Sequence, residues 1–369
     1  MLTKQQPTVT VIIKALNEEQ HIAAAIESAL AALAGIDGEV VLADGGSIDR
    51  TVEIARRYPI VIVRLNRIED RSCGSGAQLG FQYSQGRYLM LIDGDMRLRP
   101  GFLPAALETL HQNPDLAGVG GAVLEHGVVN EEYEQRSKRY DPDRRVGLVT
   151  RLNSSGLYRR AAIESIGYLT DRNLHGAEEF DLGARLHAVG WTLAKIDRPL
   201  VDHHPHTGSA YRLLRRRVFN KNASAIGELL RAAIGRRHFW FVVLKDRQCF
   251  LCLLVTCWWL ALALAMLAPS GWSAVFGAGA ILLLPFAAMS LRWRSARLGL
   301  YSVTAWNVFA LCFWRGLLRR QTPPASWIES TVVQAPWVDE AQPTHGARRA
   351  FGNAASIEAG EVGTRRCLQ

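Results

Sequence analysis

The chain has 369 residues, of which 49% are hydrophobic and 21% charged, with a formal charge of +9. That is enough apolar material for one sizeable folded domain and something more, which excludes a wholly disordered chain. The apolar residues crowd into 249–318, and Arg212, Arg215, Arg216, Arg217, Lys221, Arg231, Arg236 and Arg237 lie just ahead of them, so the basic excess belongs beside a membrane span; no aromatic platform accompanies it, which argues against nucleic acid as a partner.

No apolar run occupies the first seven residues, so no signal peptide is expected. Residues 8–15 are β-branched and apolar and predict a first strand. A helix is predicted over 20–33 from the spacing of Ile22, Ala25, Ile26, Ala29 and Leu30. A second strand over 39–43 stops at Asp44-Gly45-Gly46-Ser47, and Asp49 opens a helix to about residue 58. A third strand is expected over 60–65, then a helix from Gly74-Ser75-Gly76. Residues 88–92 have no polar break and read as a parallel strand buried on both faces, ending at Asp93-Gly94-Asp95. Strands alternating with helices predict an α/β fold with a mostly parallel sheet and right-handed crossovers. The glycine fingerprints of dinucleotide folds and P-loops are missing.

The carboxylates stand where such a sheet binds ligands, at the C-terminal ends of strands. Asp93 and Asp95, two residues apart, suit a hard divalent cation that also grips phosphate, or else a polar turn. Asp44 can accept hydrogen bonds from a base or ribose, or close its own tight turn. Further on, residues 100–110 read as a helix, 117–124 as a strand and 131–145 as a charged helix or loop. Glu178, Glu179 and Asp181 open a helix carried by Phe180, Leu182 and Leu186. Three acids exceed what the helix dipole asks for, and like-charged neighbours raise a carboxyl pKa toward general-base range. After a strand over 191–196, His203, His204 and His206 form a candidate ligand group.

Residues 211–244 mix arginine with apolar side chains and read as interfacial helices, with the 215–217 arginines also placed to meet a diphosphate. Residues 249–268 and 272–291 are each long enough to span a bilayer. Flanking Lys245, Arg247, Arg292, Arg294 and Arg297 place both ends of the pair in the cytoplasm. A third apolar run, 298–314, is shorter and ends in arginines, so a re-entrant or interfacial helix is expected there. Cys249 and Cys252 read as apolar filler inside a span. The expected division is 1–210 catalytic, 211–247 interfacial, 248–320 membrane helices, and 321–369 a polar tail, disordered past about 342.

Three blocks, Val11 to Glu19 (Val-Ile-Ile-Lys-Ala-Leu-Asn-Glu-Glu), Asp44 to Thr51 (Asp-Gly-Gly-Ser-Ile-Asp-Arg-Thr) and the strand ending in Asp93-Gly94-Asp95, resemble glycosyltransferase family 2 in order and spacing. That resemblance covers residues 8 to about 206 and implies an inverting enzyme of GT-A fold. It implies that Asp44 contacts the base of a nucleotide-diphosphate sugar, with Leu16 and Glu18 beside it, and that Asp95 with Asp93 carries Mg or Mn and the diphosphate. It groups Gly156 with the donor-binding residues, in a glycine-containing loop on the acceptor side that also holds Arg159. It puts the catalytic base on Glu179, with Glu178 beside it, one methylene longer than the family's aspartate. His204 is favoured on the metal or diphosphate, with His203 and His206 as alternatives, and Lys14 stands where the family usually has proline. The Gln-x-x-Arg-Trp signature of processive synthases is missing, so a polymerising enzyme is not expected. The expectation is a glycosyltransferase in the cytoplasmic membrane, with its catalytic domain on the cytoplasmic face and a lipid-linked saccharide as acceptor. Polyprenyl phosphate as acceptor, as in dolichyl-phosphate-mannose-synthase-like enzymes, and a non-catalytic membrane scaffold are the alternatives.

Overall fold

The computed structural model describes residues 6–126, 145–203, 210–267 and 272–336. Strands Val9–Ala15 (β1), Gly38–Asp44 (β2), Val61–Leu65 (β3) and Tyr88–Asp93 (β4) form a parallel half-sheet in the order β3-β2-β1-β4. Its crossovers contain helices Ile22–Ala32 (α1), Thr51–Ala55 (α2) and Cys73–Tyr83 (α3). Val11 and Ile13 of β1 point into one core cluster and Ile12 into another. Such two-sided burial is why β1 reads as an unbroken apolar run. Gly80 lets α3 press on β1, since a Cβ there would run into Ile12. In this register Ala15 lies opposite Asp44, and Lys14 opposite both Ala43 and Asp93, so three strand ends share one rim of the sheet.

Beyond β4 the sheet is mixed. Met96–Leu98 (β5) leads to helix Phe102–Gln112 (α4), then Leu116–Glu125 (β6), Gly147–Val149 (β7) and Gly156–Arg159 (β8). Arg160–Glu164 (α5) and Glu178–Ala188 (α6) precede Thr192–His203 (β9). β8 lies antiparallel between β4 and β6, β6 runs parallel to β9, and β5 and β7 pair antiparallel with β9. β5, β7 and β8 are too short to show a sequence period. β9 reaches His203, beyond the expected end at 196, because register shifts around Ala122 let the ladder accommodate Pro199 opposite it.

The chain then forms Ala210–Phe219 (α7), Ala225–Ala233 (α8) and Phe239–Lys245 (α9), followed by Arg247–Leu267 (α10), Trp272–Trp293 (α11) and Ala296–Leu318 (α12). α10 and residues Val275–Trp293 of α11 are long and apolar enough to cross a membrane. α12 is one unbroken helix rather than a re-entrant turn. Its buried residues Ala310 and Phe313 pack with Ile226 of α8 and with Cys249, Cys252 and Val255 of α10. α8 and α12 meet backbone to backbone, since a Cβ at Gly227 would run into the Phe313 carbonyl and one at Gly316 into the Ser224 carbonyl. Gly227→Ala is therefore expected to cost about 1–3 kcal/mol by overpacking. Thermal unfolding in detergent tests this against Gly279→Ala, whose Cβ would meet open space.

The expected polar tail begins differently. Ser330–Gln334 (β10) returns to the catalytic domain and pairs antiparallel with β3, closing that edge of the sheet. Ile328 is fully buried with Val61, Val63 and Leu79, and Trp327 stands edge-on to Tyr83 at 5.6 Å. The stretch up to residue 336 thus belongs with the catalytic domain, while 337–369, like the charged stretch 131–144, lies outside the described residues.

Candidate active site

The loops after β1 and β2 are laced together. Ile48 N donates to Asn17 Oδ1 at 2.9 Å, Asn17 N to Ser47 Oγ at 2.9 Å, and Glu18 N to Thr51 Oγ1 at 2.8 Å. Asn17 adopts φ 58°, a left-handed turn that asparagine tolerates. Asp44 is fully buried and accepts from Gly46 N (3.2 Å) and Ser47 N (3.1 Å), with Arg64 Nε 3.4 Å away. Arg71 donates to the Gly45 and Gly46 carbonyls at 2.8 Å each, and Arg64 to the Ser47 carbonyl at 2.7 Å. Asp44 thus shapes the rim loop, and two arginines that carried no sequence signal fix that loop by its carbonyls. Leu16 is 37% exposed beside it.

Glu18, Asp93 and Asp95 converge at the rim. Burial, then Asp95 and Asp93, pushes the Glu18 carboxyl up to about 7, with Arg216 of α7 pulling the other way. Burial also raises Asp93; Lys14 opposes this and Asp95 adds to it. Hard oxygen donors that raise one another's pKa are a donor set that a divalent cation relieves, so these residues fit Mg or Mn. Among the described residues no three His, Cys, Asp or Glu side chains form a metal cage. The protein would then supply part of a coordination shell, with phosphate oxygens and water completing it. His203 bridges Asp95 (Nε2 to Oδ2, 3.3 Å) and Glu125 (Nδ1 to Oε2, 2.6 Å). Burial works against its charge, but Asp95 and then Glu125 overcome it and raise the imidazole to about 9. His204 and His206 lie outside the described residues.

α6 starts at Glu178, immediately after Ala177 at φ 60°, a left-handed conformation that costs a residue with a Cβ about 1–2 kcal/mol. Burial, then the charge of Glu178, raises Glu179 to about 7, and Lys14 offsets part of this. Lys14 Nζ stands 3.0 Å from Asp93 Oδ1 and 3.4 Å from Glu178 Oε1. Burial disfavours its charge, yet Asp93, Glu178 and Glu179 outweigh that and hold the ammonium well above its ordinary pKa. Lys14, read from sequence only as a departure from the family's proline, thus joins the metal-side carboxylate to the glutamate pair. Lys14→Met is expected to destabilise the fold by about 3 kcal/mol, the low end for breaking a buried pair, because the Asp93 side chain keeps 31% of its exposure. Denaturant unfolding at neutral pH measures it.

The remaining candidates also make structural contacts. Asp181 takes Arg185 Nε at 2.7 Å and is structural. Gly156 lies opposite Leu91 in the sheet and against Leu152, and Arg159 donates to the Leu110 carbonyl at 2.8 Å. A hollow of about 190 Å³ lined by Tyr168, Arg185, Arg236 and His238 lies beside α6 away from the acid cluster, so charge rather than cavity shape marks the site.

A sheet of this order, with acids along the rim of its parallel half, defines a GT-A glycosyltransferase fold, and residues 10–167 match the family model described as Glycosyl transferase family 2. These residues, less than half of the chain, carry a domain of that family. A dolichol-phosphate mannosyltransferase of Pyrococcus furiosus is 28% identical over 125 residues, 33% of this chain and 35% of that enzyme, so the chain matches about a third of that relative's length. The putative glycosyltransferase EpsH of Bacillus subtilis is 22% identical over 267 residues, 67% of this chain and 77% of that one. The solved mannosyltransferase PcManGT from Pyrobaculum calidifontis, in complex with GDP-Man and Mn2+, shares the fold at TM-score 0.53 and 19% identity, covering 85% of this chain and 88% of that one.

Proposed function

We propose that this glycosyltransferase moves a sugar, with inversion, from a nucleotide-diphosphate sugar to a hydroxyl of a lipid-linked saccharide during envelope or exopolysaccharide assembly. The observation that carries the reading is Glu179: a carboxyl raised to about 7, in the first turn of a helix, whose neighbour Glu178 is linked through Lys14 to Asp93 at the strand end. The Asp44 loop receives the nucleotide base, with Leu16 and Glu18 beside it and Gly156 on the acceptor side. Asp95 and Asp93, with a histidine from 203–206, would hold Mg or Mn. When bound, the cation neutralises charge on the leaving diphosphate. Glu179, as carboxylate, takes the proton of the acceptor hydroxyl while that oxygen bonds to the anomeric carbon from the face opposite the diphosphate; the C–O bond to the diphosphate breaks and the nucleoside diphosphate leaves. Two apolar helices able to span a bilayer, with a basic approach to them, favour a lipid-linked acceptor and a catalytic domain on the cytoplasmic face.

The test is a panel of UDP-, GDP- and dTDP-sugars with Mn or Mg, scored for nucleoside diphosphate release in the presence of membrane lipid extract. Release with one donor is expected. A protein that binds no nucleotide at all would end the reading. The relative named for dolichol-phosphate mannosyl transfer favours a second reading, with a polyprenyl phosphate as nucleophile. A phosphate anion needs no base, so the Glu179 variant discussed below separates the two.

A further inference from the structure

The loop that delivers Glu178 and Glu179, residues 171–177, is gripped by the chain that follows the last of the apolar helices. Arg172 Nη1 donates to Ser326 O (3.3 Å), Ser326 Oγ (3.1 Å) and Trp327 O (3.0 Å). Asn173 Nδ2 donates to Thr322 O at 2.8 Å, and Thr322 N donates back to Asn173 Oδ1 at 2.9 Å. His175 N donates to Glu228 Oε2 at 2.9 Å, and its Nδ1 lies 3.1 Å from both Glu228 oxygens. Glu228 is fully buried on α8 and is paired with Arg319, the residue that ends α12. Arg172, Asn173 and His175 are thus fixed, directly or through Glu228, by residues 319–327. Two residues further on, Ala177 holds its left-handed conformation, which persists only where the surroundings over-determine it.

We infer that residues 319–327 are a clasp that positions the catalytic base, so that reaction geometry depends on how α12 is seated. This rests on the assignment of Glu179 above. Arg319, Asn173 and Arg172 touch no reactant and are positioning residues. A general base must sit within hydrogen-bond reach of the acceptor oxygen, and a misplacement of about 1 Å costs on the order of 10²-fold. The pairing of Asn173 with Thr322 bridges 149 residues of chain, including all three long apolar helices. A change in α12 can therefore reach the base without passing through the donor site.

The experiment uses the full chain in detergent. Asn173→Ala removes both bonds to Thr322 and the Nδ2 bond to the buried Asp171 (2.6 Å), whose Oδ1 keeps the Asn173 backbone N–H at 2.8 Å. Arg319→Gln leaves Glu228 buried without its cation and endangers the fold, so Arg319→Lys accompanies it as the conservative rescue. Amide exchange over residues 174–181 is read first and needs no activity. It is expected to quicken about tenfold in Asn173→Ala and Arg319→Gln, and to recover in Arg319→Lys, with exchange in β1 and β4 unchanged. Transfer is read second: kcat is expected to fall about 10–100-fold, with the donor KM within about twofold. Unchanged exchange over 174–181 overturns the clasp. Quickened exchange with native kcat overturns its part in catalysis. If the native protein transfers no sugar, the proposed function fails, and exchange alone decides whether the clasp holds the loop.

Discussion

Asp95→Ala is expected to cut nucleoside diphosphate release by about 10²–10³-fold while leaving the fold intact. The loss follows from Lewis-acid stabilisation of the leaving group, worth several kcal/mol, at about 1.4 kcal/mol per tenfold in rate. The preserved fold follows from contacts of opposite sign at Asp95. Its charge is one of the causes that push the neighbouring Glu18 and Asp93 carboxyls up, so its removal relieves two like-charge contacts. Among the losses on the other side is a 3.3 Å contact with His203, which keeps Glu125 at 2.6 Å. The measurement is thermal unfolding with and without Mn and nucleoside diphosphate, beside the release assay. Ligand-linked stabilisation is expected in the native protein and not in the variant. Retention of more than about a fifth of the native rate would sink the assignment of Asp95.

The parts of the fold that were legible in the sequence are those whose burial leaves a local mark. β1 and β4 are enclosed on both faces and show as apolar runs, and Asp44, Asp93 and Asp95 stand out because each ends such a run. α6 was legible from its apolar face and its first-turn acids, although Asp181 serves Arg185 rather than the chemistry. What stayed hidden depends on distant partners. Lys14 is one polar residue within a strand, and its meaning comes from Asp93 and Glu178, the latter 164 residues away. β5, β7 and β8 are three or four residues long, too few for a period. Ser330–Gln334 looks like the start of a polar tail until β3 offers it an edge. The grip of residues 319–327 on the 171–177 loop is built from Arg172, Asn173 and Arg319, which on sequence alone are ordinary surface residues.

Glu179→Gln is expected to lower kcat by about 10²–10⁴-fold with nucleotide affinity intact, because the amide keeps shape and removes the proton acceptor. The native pH profile carries the same assignment. Glu179 works as a carboxylate, and burial with Glu178 beside it raises its pKa to about 7. Raising an acid's pKa lengthens the pH range over which it is protonated, so kcat/KM should fall about tenfold per pH unit below about 7 and level off above it. An unperturbed glutamate would place that limb near 4.5. Lys14 opposes the rise, so Lys14→Met should move the limb to higher pH. Glu179→Asp withdraws the carboxylate by one methylene and should keep part of the activity with the acidic limb still present. An acceptor whose nucleophile is already a phosphate anion predicts something else: Glu179→Gln would turn over near the native rate, and any acidic limb would survive that substitution, because the phosphate itself takes up a proton near about 6. The pH profiles of native protein, Glu179→Gln and Lys14→Met, taken together, therefore decide whether this rim deprotonates a sugar hydroxyl or only seats a lipid phosphate.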